Sequence, residues 1–146
     1  MRILIVDDHP IVASGCRTVF ADDPEVELID APDAESGERA FIGERPAICV
    51  IDINLPTVSG FELARRILAR DANARIIMFS MNDDPVFAAR AIDIGAKGYV
   101  SKTGDPNDLV EAVREVGNGG VYLPPAIARS VAFARPSFAQ NPLSKL

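Results

Sequence analysis

The chain has 146 residues, 48% of them hydrophobic and 25% charged, with glycine and proline scattered rather than clustered. This describes one domain long enough to bury a core and excludes collagen-like or low-complexity structure. The formal net charge of −6 argues against a basic surface that grips nucleic acid, and no apolar stretch approaches the roughly 20 residues of a membrane span.

Asp7 and Asp8 interrupt the first apolar run too early for a secretory signal. Cys16 and Cys49 lack paired spacing and read as buried, reduced thiols, so a cytoplasmic location is expected. The charge is unevenly spread. Residues 1–120 hold 12 basic and 21 acidic side chains, whereas 121–146 hold Arg129, Arg135 and Lys145 with no acid.

In chain order, Ile3-Leu4-Ile5-Val6 runs into Asp7-Asp8, and a strand is expected near 2–7. Short runs rich in Ile and Val, without polar alternation, suit strands buried on both faces of a parallel sheet. His9-Pro10 marks a helix start, and His9 reads as a loop residue rather than a metal ligand or base. A second strand, 26–30, ends in Asp30 and Ala31 with no matching chemistry. Asp33 then caps a helix through about Ile42. The third strand, 47–52, delivers Asp52. Ser59-Gly60-Phe61-Glu62 has capping-box spacing, and the helix it opens carries Phe61, Ala64, Ile67 and Leu68 on one side. The fourth strand, 75–80, ends in Ser80, and the fifth, 98–101, leads into Lys102. Asp84-Pro85 and Asp105-Pro106 each place a cap before a proline at the first helical position. The last helix repeats Leu109, Ala112, Val113 and Val116 and is expected to stop at Gly117. A domain over 1–120 is followed by a turn at Val121–Pro125, a short helix from Ala126 to Ala134, and a linker to Leu146.

Five strand-then-helix units imply right-handed crossovers and a doubly wound, flavodoxin-like α/β fold. With the second strand at the edge, the five-stranded parallel sheet has the order 2-1-3-4-5. The topological switch then falls where Asp7, Asp8 and Asp52 converge. Three carboxylates this close raise one another's pKa values, a conflict that a divalent cation removes. Oxygen-only ligands with several retained waters favour Mg²⁺. Asp52 is the expected nucleophile toward a phosphoryl group, forming an acyl phosphate. Lys102 and the Ser80 hydroxyl would then neutralise the phosphoryl oxygens alongside Mg²⁺.

Asp7-Asp8, Asp52 followed by Leu55-Pro56 and Gly60, Ser80, and Tyr99 ahead of Lys102 resemble the receiver domain of bacterial response regulators. The resemblance covers about residues 1–120. It implies that a sensor histidine kinase phosphorylates Asp52. It also implies that Asp8, Asp52 and the Asn54 carbonyl hold Mg²⁺, with Asp7 acting partly through water, and that Ser80 and Tyr99 form a switch pair. Asp8-His9-Pro10 with Gly119-Gly120-Val121-Tyr122-Leu123-Pro124 is similar to the LuxR-type branch, in which a helix-turn-helix DNA-binding domain follows the receiver. Asn141–Leu146 looks like the run just before that domain, so DNA would be reached only through a domain absent from this chain. A cytoplasmic homodimer without membrane contact is expected, joined through the fourth helix and fifth strand or through the first and fifth helices.

Three departures stand out. Met81 follows Ser80 where the family usually has Ala or Gly, and is expected to slow phosphorylation or hydrolysis. Asn54 and Asn82 flank the approach of an attacking water, and either amide is placed to orient it. Thr103 stands where many receivers have proline, which leaves the isomer of the Lys102–Thr103 bond open. Two rival readings are a receiver fold acting only as an unphosphorylated interaction module, and a haloacid-dehalogenase-like Mg²⁺-dependent phosphohydrolase. The second wants an Asp where Asn54 stands. The primary expectation is therefore a switch that catalyses only its own phosphoryl transfer and dephosphorylation.

Overall fold

Every residue of Ile3–Val6, Ile48–Asp52 and Ile76–Ser80 is buried, which explains why these runs show no polar alternation. In a computed structural model that describes residues 1–82, 84–123 and 128, they form the centre of one parallel sheet. The elements are β1 (Arg2–Val6), α1 (Pro10–Val19), β2 (Glu27–Ala31), α2 (Ala34–Glu44), β3 (Ile48–Asp52), α3 (Gly60–Arg70), β4 (Ile76–Ser80), α4 (Pro85–Ile94), β5 (Gly98–Ser101) and α5 (Asn107–Gly117). The strand order is β2-β1-β3-β4-β5, as expected.

Alternate strand residues face opposite layers. Leu4, Val6, Ile51, Met78 and Tyr99 pack with Phe61, Ala64 and Ile67 of α3 and Ala88 of α4. Ile3, Ile5, Val50, Ile77 and Val100 pack with Cys16 of α1 and with Leu109, Val113 and Val116 of α5. The apolar stripes of α3 and α5 therefore fall where helical spacing puts them; α3 also buries Leu63, and Leu68 is only partly buried.

Helix ends differ in detail from the sequence expectation. The Ser59 hydroxyl accepts the Glu62 N–H, but Glu62 turns its carboxylate to Arg65 and Arg66 instead of closing a capping box. The reciprocal box is at Asp33, whose carboxylate accepts the Ser36 N–H while the Ser36 hydroxyl faces the Asp33 N–H. At α5 the cap residue is Pro106, and the Asp105 carboxylate still accepts the Asn107 N–H. Gly117 lies inside α5, and the left-handed turn is made two residues later by Gly119 at φ 90°.

Tyr122 does not leave the sheet. It forms a parallel bridge with Gly98, donating its N–H to Lys97 O at 2.9 Å and accepting the Tyr99 N–H at 3.1 Å. The expected short helix over 126–134 and the linker after it lie outside the described residues, Ala128 excepted. Among the described residues no peptide bond is cis, so Lys102–Thr103 is trans. None of their helices is long and apolar enough to cross a membrane.

Candidate functional site

The register of β1 and β3 decides which side chains meet. Val6 pairs with Ile51, so the next residues, Asp7 and Asp52, stand level at the carboxyl end of adjacent strands. The β4–β5 register pairs Ser80 with Ser101, which sets Lys102 just beyond the end of β4. Its N–H is tied to Ser80 O at 2.7 Å. From there the Lys102 ammonium reaches back to Asp7 Oδ2 at 2.6 Å and Asp52 Oδ2 at 3.2 Å. The side chains of Asp7, Asp52 and Lys102 are all nearly inaccessible to solvent. Asp8, by contrast, points partly outward.

The two oxygens of Asp52 have different surroundings. Oδ1 accepts the Asn54 N–H at 3.0 Å. Oδ2 is buried and has no hydrogen-bond donor; the Lys102 ammonium attracts it by charge without hydrogen-bond alignment. Burial pushes the Asp52 carboxyl above the usual carboxylate range. The Asn54 N–H and Lys102 pull it back down, and Asp7 adds to the rise. An oxygen held dry and without a donor is suited to making a new bond or meeting a cation.

Gly60 explains how β3 can deliver Asp52 here. Its N–H bonds to Ile53 O at 2.8 Å, and a Cβ on it would fall 2.0 Å from the Asp52 carbonyl oxygen. Only glycine permits that approach.

Ser80 and Tyr99 are both buried and meet at one residue. The Ser80 hydroxyl accepts the Asn82 N–H at 3.0 Å, and the Tyr99 hydroxyl donates to Asn82 O at 2.5 Å. The Asn82 side-chain oxygen accepts the Asp84 N–H, so it serves the β4–α4 loop. Asn54 is exposed, and its N–H is committed to Asp52. Met81 is 62% exposed. Burial pushes the Cys16 thiol up to about 11 and Cys49 up to about 12, as expected of unreactive thiols.

His9 precedes α1 as the expected loop residue, and its ring turns back over the acidic residues, with Nδ1 3.0 Å from Asp7 Oδ1 and 3.1 Å from Asp8 Oδ1. A side chain's direction at a helix N-cap is not written in residue spacing, and adjacency to Asp7-Asp8 was the only available signal.

Residues 3–114 match the family model described as the response regulator receiver domain. Among curated proteins, the transcriptional regulatory protein UhpA of Escherichia coli strain K12 is 34% identical over 148 residues, covering 99% of this chain and 71% of UhpA. The transcriptional regulatory protein DegU of Brevibacillus brevis is 31% identical over 132 residues, covering 90% of this chain. The chain spans only 56% of the length of DegU. A crystal structure of a LuxR-family two-component response regulator from Aurantimonas sp. SI85-9A1 superposes with a TM-score of 0.86 at 38% identity, covering 92% of this chain and 96% of that one. The matched span runs from β1 into α5 and encloses Asp7, Asp8, Asp52, Ser80 and Lys102, so this chain belongs to the response regulator receiver domain family.

Proposed function

We propose that the chain is the phosphorylation-controlled input half of a transcriptional regulator, accepting a phosphoryl group on Asp52 from a sensor histidine kinase. The observation that carries this is Asp52 Oδ2, buried, without a hydrogen-bond donor and 3.2 Å from the Lys102 ammonium. With Oδ1 held by the Asn54 N–H and Oδ2 free of donors, the Asp52 carboxylate can attack phosphorus through one oxygen while the other meets a cation. The new bond from that Asp52 oxygen to phosphorus forms as the bond from phosphorus to the donor's nitrogen or oxygen breaks, and the leaving group takes that electron pair. Hydrolysis later returns inorganic phosphate and the free carboxylate. Lys102 already spans Asp7 and Asp52, so it is placed to follow the negative charge onto a phosphoryl oxygen.

The residues fit Mg²⁺: Asp7, Asp8 and Asp52 bring carboxylate oxygens together, and one of those oxygens lacks any donor. These three, with the Asn54 carbonyl, would hold the ion, which when bound neutralises phosphoryl charge. Ser80 and Tyr99 would form the switch. Because both bond to the Asn82 backbone, a Ser80 hydroxyl drawn to the phosphoryl group releases the Asn82 N–H and alters the loop that holds Tyr99. Phosphate biases this equilibrium only through contacts made better in one state. Reversing a 1:99 preference needs roughly 5.5 kcal/mol, and two or three charge-assisted bonds of about 1.5–3 kcal/mol each suffice. Met81, exposed beside this loop, would modulate access to Asp52 or the approach of water together with Asn54 and Asn82. Self-association would use the face of α4 and β5 or that of α1 and α5. DNA would be bound through a domain outside this chain, in the cytoplasm.

The test is incubation with Mg²⁺ and acetyl phosphate, read by intact mass. One phosphoryl group should be gained by the parent and none by Asp52→Asn. An unlabelled parent would leave the unphosphorylated interaction module as the better reading, and steady turnover of a small phosphate ester would favour a phosphohydrolase.

A further inference from the structure

We propose that His9 is a ligand of the cation in the acidic pocket, and that it shifts the pocket's preference from Mg²⁺ toward Mn²⁺ and later first-row divalent metals. The inference rests on reading that pocket as a divalent-cation site. His9 Nδ1 lies 3.0 Å from Asp7 Oδ1, 3.1 Å from Asp8 Oδ1 and 4.0 Å from Asp52 Oδ2. Donor atoms of all four residues lie within 4.8 Å of one another. Around a six-coordinate ion with bonds of about 2.1 Å, neighbouring donors stand about 3.0 Å apart and opposite donors about 4.2 Å apart. Nδ1 therefore keeps neighbour spacing to two carboxylates and nearly opposite spacing to the third. The ring nitrogen hydrogen-bonds to Asp7 Oδ1, yet it holds Asp8 Oδ1 almost as close, and one ring N–H can satisfy only one acceptor well.

A second observation points to the same ion. Asp52 Oδ2 faces this space, buried and without a hydrogen-bond donor. The Lys102 ammonium beside it is shared with Asp7 and is closer to that residue, so a cation supplies the partner this oxygen still lacks. His9 occupies the N-cap position of α1 yet makes no side-chain cap bond; its ring turns to Asp7 instead. Its N–H on Asp7 Oδ1 at 2.9 Å fixes the backbone from which the ring leans over the pocket. Carboxylate and carbonyl ligands alone suit a hard ion, whereas an imidazole nitrogen adds affinity that rises from Mn²⁺ through Co²⁺ to Ni²⁺.

The chain's single histidine makes the test unambiguous. Protein carrying nitrogen-15 histidine is loaded with Mn²⁺ and measured by pulsed electron paramagnetic resonance, while Mn²⁺ and Mg²⁺ affinities are compared with those of His9→Ala. The expected result is direct coupling to the histidine nitrogen and a loss of Mn²⁺ affinity of about ten- to a hundredfold in the variant, with Mg²⁺ affinity little changed. Circular dichroism checks that the variant is folded. Bound Mn²⁺ without histidine coupling overturns the assignment of His9 and leaves the cation site standing. Equal loss of both affinities overturns the shift in preference. If neither ion binds the parent chain, the cation reading itself falls.

Discussion

Asp52 is the residue at which stability and the proposed chemistry conflict. Burial raises its folded-state pKa above the unfolded value. Between those two values the native chain keeps a proton that the unfolded chain has lost, so this group's contribution to stability falls as pH rises through the window. The ionised carboxylate is then a net cost at neutral pH. In buffer containing EDTA, Asp52→Asn is expected to be harder to unfold with urea than the parent at pH 7. Its advantage should shrink as the pH approaches about 4, where an unfolded carboxyl protonates. An advantage independent of pH would show that the buried charge is not its source. Gly60 presents the opposite case, a residue with no chemistry on which the site depends. A Cβ there meets the Asp52 carbonyl oxygen at 2.0 Å, and backbone rather than a flexible side chain must move. Gly60→Ala should lose stability toward the upper end of the roughly 1–3 kcal/mol typical of overpacking, and acyl-phosphate formation should slow with it. Urea unfolding and labelling with acetyl phosphate check both parts.

At the scale of elements, the edge of β5 carries an unexpected load. Tyr122 supplies the acceptor for the Tyr99 N–H and a donor for Lys97 O, covering backbone groups that an edge strand leaves open. Tyr122 packs on one side of the sheet and Leu123 on the other. A chain shortened after Gly120 is expected to lose about 2 kcal/mol from the two hydrogen bonds of Tyr122, at about 1 kcal/mol each. Its Tyr99 amide should exchange with solvent faster. Unchanged exchange at Tyr99 would show that the pairing carries no stability. Sequence pattern could not supply this pairing, since three residues between a Gly pair and a Pro pair resemble a turn whether or not a sheet edge lies beside them. The caps follow the same logic. Glu62 sits at capping-box spacing from Ser59, yet Arg65 and Arg66 compete for its carboxylate. Asp33 and Ser36 form the reciprocal box with a residue pair outside the usual signature.

At the scale of the whole molecule, the sheet order was legible because three of the five strands are buried on both faces. Such strands show as unbroken apolar runs, and their ends show as abrupt polar residues. Asp7, Asp52, Ser80 and Lys102 were legible as neighbours for that reason: strand order and parallel register bring them to one end of the sheet. His9 was not, because its position depends on a χ angle at a helix start rather than on topology. The same convergence sets a consequence for the entire fold. Asp7 and Asp8 follow β1 and Asp52 ends β3, so an ion bound by all three joins residues more than 40 positions apart and has no comparable site in the unfolded chain. Binding to the native state alone stabilises it by mass action. At about a hundred times the dissociation constant, Mg²⁺ should add roughly 2.7 kcal/mol. For a chain of this size that is a rise in Tm of about 5–10 °C. EDTA should reverse the rise. Asp8→Ala should abolish it while leaving the metal-free Tm near or above that of the parent, because the Asp8 side chain is 36% exposed and adds to the crowding of like charge. The same Mg²⁺-dependent rise in Asp8→Ala would mean that the ion acts on the surface at large and not across the switch point between β1 and β3.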